Sequence, residues 1–151
     1  MDYGKFFRRE SDEVARDLLG RLLIRNTERG ATAGRITQIG AYEEGSEIPS
    51  REGMKYAPGR IFLMSHRGSH LLNISTEKKG YPSCVEIRQI TFHDKIINGA
   101  GKVTTTFGIT PDLDGLVLGK ELQILGKPVE KSRIKRMKGD SDNCIGYFLI
   151  K

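Results

Sequence analysis

One stretch near the start of this chain repeats its apolar residues at helical spacing; beyond it, turn-forming residues cut the sequence into short runs. Val14, Leu18 and Leu22, with Ala15 and Leu19 beside them, follow the three-to-four-residue period of an amphipathic helix. Ser11 stands ahead of them as an N-cap, Asp12 and Glu13 put negative charge in the first turn, and Gly20 ends the helix near Leu19. Leu22 to Arg25 then reads as a strand, residues 26–30 as a turn, and Thr32 to Tyr42 as the returning strand of a hairpin. A polar loop runs from Glu43 to Gly59. Arg60 to Ser65 and Leu71 to Ser75 read as strands around a turn, and Val85 to Phe92 as another. The Gly-rich break at 98–101 precedes a short helix, Lys102 to Phe107, and the tail supplies strands at 121–125, 132–137 and 145–150. Many short strands with one or two helices predict an α+β fold: a single domain, residues 1–151, with a curved, mainly antiparallel β-sheet and a few short helices. There is no internal repeat and no linker.

A chain of 151 residues with 37% hydrophobic and 29% charged residues is globular and the size of one domain. No apolar run approaches the roughly 20 residues needed to span a bilayer. Residues 1–5 lack the apolar segment of a secretory signal, so a cytoplasmic or nucleoid-associated location is expected. Cys84 and Cys144 stand far apart with no CxxC and read as free thiols in a reducing compartment. His66 and His70 are separated by Gly68, which argues against a helix presenting them as a metal pair, and no metal or other cofactor is expected. A net charge of +6 and a pI near 9.4 favour polyanionic partners. The charge is clustered: Lys127, Lys131, Arg133, Lys135, Arg136 and Lys138 face one acid, Glu130. Arg133, Lys135 and Arg136, with Lys102 at the Gly-rich turn, are candidate phosphate contacts; the alternative is a solvated basic strand.

Val14 to Arg25, Gly34 to Tyr42, Pro58 to Phe62, Leu72 to Ser75, Val85 to Arg88 and Asn98 to Val103, in that order, together resemble the alkyladenine (3-methyladenine) DNA glycosylase family. Residues 14–25 are similar to that family's opening helix and first strand. Gly34 to Tyr42 resembles its strand ending in Thr-Glu-Ala-Tyr. Pro58-Gly59-Arg60-Ile61-Phe62, Leu72-Asn73-Ile74-Ser75 and Val85-Glu86-Ile87-Arg88 follow in sequence. Asn98-Gly99-Ala100-Gly101-Lys102-Val103 then matches the Asn-Gly-Pro-x-Lys-Leu turn, with Ala100 in place of proline. Order and spacing hold from about residue 6 to 110, and the closing strand of the family is hard to place on residues 144–150.

The resemblance implies a glycosylase-like fold, related to the formyltransferase C-terminal domain. It also implies a monofunctional, monomeric enzyme that flips a damaged purine out of double-stranded DNA and hydrolyses its N-glycosidic bond. A flipped base is needed because C1′ is unreachable inside the stack. By position, Tyr42 is the pocket tyrosine that stacks on the base, Asn73 checks the base edge, and Arg88 lies near the reacting nucleotide. Met64 falls where a second stacking aromatic is usual, and His66 or Arg67 where the wedge stands. The family's catalytic glutamate position is Gly40. Glu44 is the first candidate to replace it, since it shares the face of Tyr42 if the strand runs on, followed by Glu43 and Glu47; the alternative is that these acids solvate a loop. With its chemistry so reduced, the site is expected to act on cationic lesions such as 3-methyladenine before neutral ones such as hypoxanthine. A catalytically inactive lesion- or DNA-binding homologue is the alternative function, and a nucleic-acid binder that includes RNA is a third reading.

Overall fold

One long strand organises the sheet and bends in the middle. In this computed structural model, which describes residues 1–45, 51–137 and 144–150, β1 (Leu22–Thr27) and β2 (Gly30–Tyr42) form the expected hairpin. The first half of β2 pairs with β1. The second half pairs with the last strand, while its other edge pairs with one central strand along most of its length. The register slips on both sides of Gln38, and such a bulge bends a strand and raises its twist. The remaining strands are β3 (Ile61–His66), β4 (Ser69–Ser75), β5 (Cys84–Phe92), β6 (Lys95–Asn98), β7 (Leu122–Leu125), β8 (Ile134–Arg136) and β9 (Cys144–Leu149). The main path runs β3-β4-β5-β2-β1-β7, with β6 on β5 and β8 on β9, and every pairing is antiparallel. β5 also changes partner midway, from β4 to β6, so both central strands let the sheet curl.

Among the described residues four α-helices accompany the sheet: α1 (Tyr3–Phe7), α2 (Ser11–Leu18), α3 (Arg51–Met54) and α4 (Ala100–Thr106). α2 buries Val14, Ala15 and Leu18, and Gly20, at φ +84°, turns the chain out of it. Its capping differs from the expectation. Ser11 is the first helical residue, Glu10 takes the cap position without a side-chain bond, and Ser11 Oγ donates to the Glu43 carboxylate at 2.6 Å. α1 is too short for periodicity to reveal. It is announced only by Asp2, whose side chain accepts from Lys5 N at 3.1 Å. β6 also escaped the sequence reading, because its hairpin turns on His93 and Asp94, both at positive φ, without the usual glycine. Ser132 lies in a 3-10 turn over Lys131–Arg133, so the strand expected from 132 starts at Ile134.

The alternation of the strands builds two apolar layers. Ile39, Ala41, Ile61, Leu63, Leu72, Ile74, Val85 and Ile87 join α2 and Val103 and Phe107 in the main core. The intervening residues Phe62, Met64 and Cys84 pack with Met54, and Tyr42, Tyr56 and Leu71 flank them on the opposite face. That second face carries the site.

Candidate functional site

The register of four strands places the expected residues side by side. Asn73 on β4 pairs with Glu86 on β5, Glu86 with Gly40 on β2, and Gly40 with Gly146 on β9. One step along, Tyr42 lies between Cys84 and Cys144. Directly paired residues point to the same face. Tyr42, Asn73, Glu86 and Arg88 therefore share a face with Phe62, Met64 and His66 of β3, because side chains alternate along each strand.

Arg88 is the hub. Its Nε donates to Glu86 Oε1 at 3.2 Å, and its Nη2 donates to Tyr42 Oη at 3.1 Å and contacts Cys144 Sγ at 3.4 Å. The guanidinium also lies 5.7 Å from the centre of the Tyr42 ring. It fills the space over Gly40: a Cβ built there would stand 2.4 Å from Nη2 and 2.5 Å from Cζ. The missing side chain at 40 thus has an occupant. Burial first, and then the Glu86 carboxylate, push the Tyr42 phenol well above its ordinary range, so it stays neutral at physiological pH.

Glu86 is the residue that the sequence reading passed over. Its side chain is only 8% exposed, and among the described residues its Oε2 is the one buried side-chain oxygen or nitrogen without a hydrogen-bond partner. Burial holds its carboxyl above the usual carboxylate range against the opposing pull of Arg88. A lone acid two residues before an arginine, inside a strand whose first residues are otherwise apolar, was the available signal: period two puts the pair on one face. Asn73 is almost wholly buried. Its Nδ2 donates to Leu71 O at 3.1 Å, and its Oδ1 accepts from Cys84 Sγ at 3.4 Å.

The substitute acids lie elsewhere. β2 stops at Tyr42, so the condition that placed Glu44 on the tyrosine's face is not met; Glu44 is exposed in the following turn, beside the Tyr81 hydroxyl. Glu43 points to the other side, where its Oε1 accepts from Ser11 Oγ and from Asp12 N at 3.4 Å at the start of α2. Glu47 lies outside the described residues, as does Lys138 of the basic cluster.

His66 and Arg67 are exposed at the tip of the β3–β4 hairpin, where Arg67 and Gly68 both take positive φ and make a two-residue turn. His70 pairs with Ser65, which puts it on the opposite face from His66. A groove of about 410 Å³ between this tip and α4 is lined by His66, Arg67, Leu71 and Lys102. The tail cations divide. Lys135 pairs with Phe148, in the row of Gln38 on the site's face, whereas Arg136 pairs with Tyr147, which packs against the main core. Arg133 precedes β8, and its Nε donates to Ile150 O at 3.3 Å. Cys84 and Cys144 carry free thiols. Among the described residues no three His, Cys, Asp or Glu side chains gather as a metal set, and no helix is long and apolar enough to cross a membrane.

Fold and site together define an α+β protein whose curved sheet presents a tyrosine–arginine–carboxylate cluster near a basic groove. The sequence model of the methylpurine-DNA glycosylase family matches residues 5–139. A Methanocella arvoryzae protein named "Putative 3-methyladenine DNA glycosylase" is 32% identical over 136 residues, covering 73% of this chain and 68% of its own length. Proteins of the same name from Listeria monocytogenes and Lactobacillus johnsonii are each 30% identical, over 65% and 73% of this chain and 60% and 65% of their own lengths. The chain therefore belongs to the methylpurine-DNA glycosylase family, and it spans about three fifths to two thirds of the length of these relatives.

Proposed function

We propose that the chain is a monofunctional DNA glycosylase of the 3-methyladenine type, which flips a damaged purine out of the duplex and hydrolyses its bond to deoxyribose. The observation that carries this reading is the convergence of Tyr42, Asn73, Glu86 and Arg88 on one face, in a chain of this family. Tyr42 offers a neutral ring to stack on the extruded base, with Met64 and Asn73 on the same face of the sheet. The hairpin tip at His66 and Arg67 is placed to enter the gap left in the stack. Lys102 in the adjoining groove and Lys135 on the same face as the site hold the phosphates. Arg88 keeps a fixed positive charge there, which suits a phosphate or the electron-rich side of a sugar more than it suits a cationic base.

The test is base release from methylated duplex DNA, with the freed purines separated by chromatography. Free 3-methyladenine is expected, and its release is expected to outpace that of hypoxanthine from a deaminated duplex. Absence of any freed base would sink the hydrolase reading. Tight binding to an abasic duplex without release would then favour a lesion-binding protein, the reading supported by Gly40 and by the arginine that fills its place.

A further inference from the structure

We propose that Glu86 is the carboxylate that activates water at this site, supplied from β5 and not from β2. The inference rests on the glycosylase reading and names the group that performs its chemistry. Hydrolysis of an N-glycosidic bond passes through a cation-like sugar, so the reaction gains from an anion facing C1′ and from a base that takes the proton of water. Among the described residues Glu86 is the only buried acid. It lies directly across from Gly40, and paired Cα atoms in an antiparallel sheet are about 5 Å apart. A glutamate side chain spans that distance. Its carboxylate is bonded to the guanidinium that occupies the space over Gly40, so it lies beside the region that a side chain at position 40 would reach.

The environment divides the labour between the two oxygens. Oε1 is fixed by Arg88 Nε, which orients the group, the neighbouring Asn73 side chain also favours the charged form, and Oε2 itself makes no hydrogen bond of good geometry among the described residues. An unpaired buried oxygen is costly, more so when charged, so its retention calls for an explanation. A water bound to Oε2 supplies one. In the reaction the water oxygen bonds to C1′ as the bond from C1′ to the purine nitrogen breaks. The bonding pair leaves with the base, neutralising a cationic purine, and the water proton passes to Oε2. The products are the free base and an abasic sugar with a hydroxyl at C1′.

The groups facing Glu86 are Arg88 on its own strand, Asn73 across β4, Tyr42 on β2 and Cys84 on β5, with His66 of β3 contributing a weaker attraction and Cys144 of β9 reached through Arg88. Tyr42 and Cys84 are pushed upward by burial and stay protonated, while burial raises the Glu86 carboxyl against the pull of Arg88.

The experiment compares the wild-type chain with Glu86→Gln, Glu86→Asp and His66→Asn in single-turnover base release from methylated duplex, across pH, alongside affinity for an abasic duplex. Glu86→Gln is expected to slow release on the order of 100-fold at unchanged affinity, and to abolish the fall in rate toward acid pH. Glu86→Asp keeps the charge but withdraws it by one methylene, so it is expected to fold, slow release and retain the acid fall. His66→Asn is expected to retain that fall too. A wild-type rate in either folded Glu86 variant, or loss of the acid fall in His66→Asn, would overturn the role of Glu86 while leaving the glycosylase reading intact. No release by the wild-type chain would overturn that reading and this inference with it.

Discussion

Replacing Arg88 by Met keeps most of its bulk and removes what holds the site together. The guanidinium donates to Glu86 at 3.2 Å and to Tyr42 at 3.1 Å. Removing one partner of a buried ion pair costs about 3–5 kcal/mol, because the other charge is left uncompensated. The arginine side chain is 20% exposed and its partner 8%, so water relieves part of the penalty, and the lower end, about 3 kcal/mol at pH 8, is expected. Glu86 has an escape, which is to take up a proton. Its folded carboxyl is already held above the usual range by burial, and loss of the arginine moves it further in the same direction. A carboxyl raised on folding contributes stability that is present at acid pH and lost as pH rises through the folded pKa. Each added unit of upward shift makes the variant's deficit at pH 8 larger than at pH 5 by about 1.4 kcal/mol, for as long as the shifted pKa lies between those values. Urea unfolding of wild type and variant at both pH values, followed by circular dichroism, measures the difference. A deficit equal at pH 5 and pH 8, or smaller than about 1 kcal/mol at pH 8, would refute the buried-pair account.

Three further outcomes follow from particular contacts. Glu43→Ala removes the acceptor for Ser11 Oγ and Asp12 N at the head of α2 and is expected to cost about 1–2 kcal/mol in urea unfolding, with base release per folded molecule unchanged. Lys102→Ala and Lys135→Ala are each expected to reduce the slope of log affinity against log salt by about 1, because each removes one phosphate contact. Arg136→Ala, on the opposite face, is expected to leave that slope unchanged in the same titrations. Gly34→Ala would set a methyl 2.3 Å from Ile90 Cγ2 and 2.9 Å from Phe107 Cζ, so thermal or urea unfolding is expected to report a loss of about 1–3 kcal/mol.

The sequence by itself determined most of the local elements, though not α1, α3 or β6, and the inward and outward order of residues along the strands it marked. Helical spacing marked α2, the turn at 26–30 marked the first hairpin, and period-two alternation separated Ile39 and Ala41 from Gly40 and Tyr42. Family resemblance pointed to Tyr42, Asn73 and Arg88 as candidate site residues and to Gly40 as the position where a carboxylate was expected. What it left open is how strands distant in the chain line up, since each strand's own pattern fixes faces but not which residues meet across a pairing. Only the tertiary structure set Glu86 opposite Gly40 and Asn73, laid the head of Arg88 over the glycine, and ended β2 soon enough to carry Glu44 away from the site. It also parted neighbouring cations, turning Lys135 toward the site and Arg136 away. Those outcomes depend on long-range register and on the bulge at Gln38, where a slip of one residue reverses which side chains face the site, and no local stretch of sequence encodes them alone.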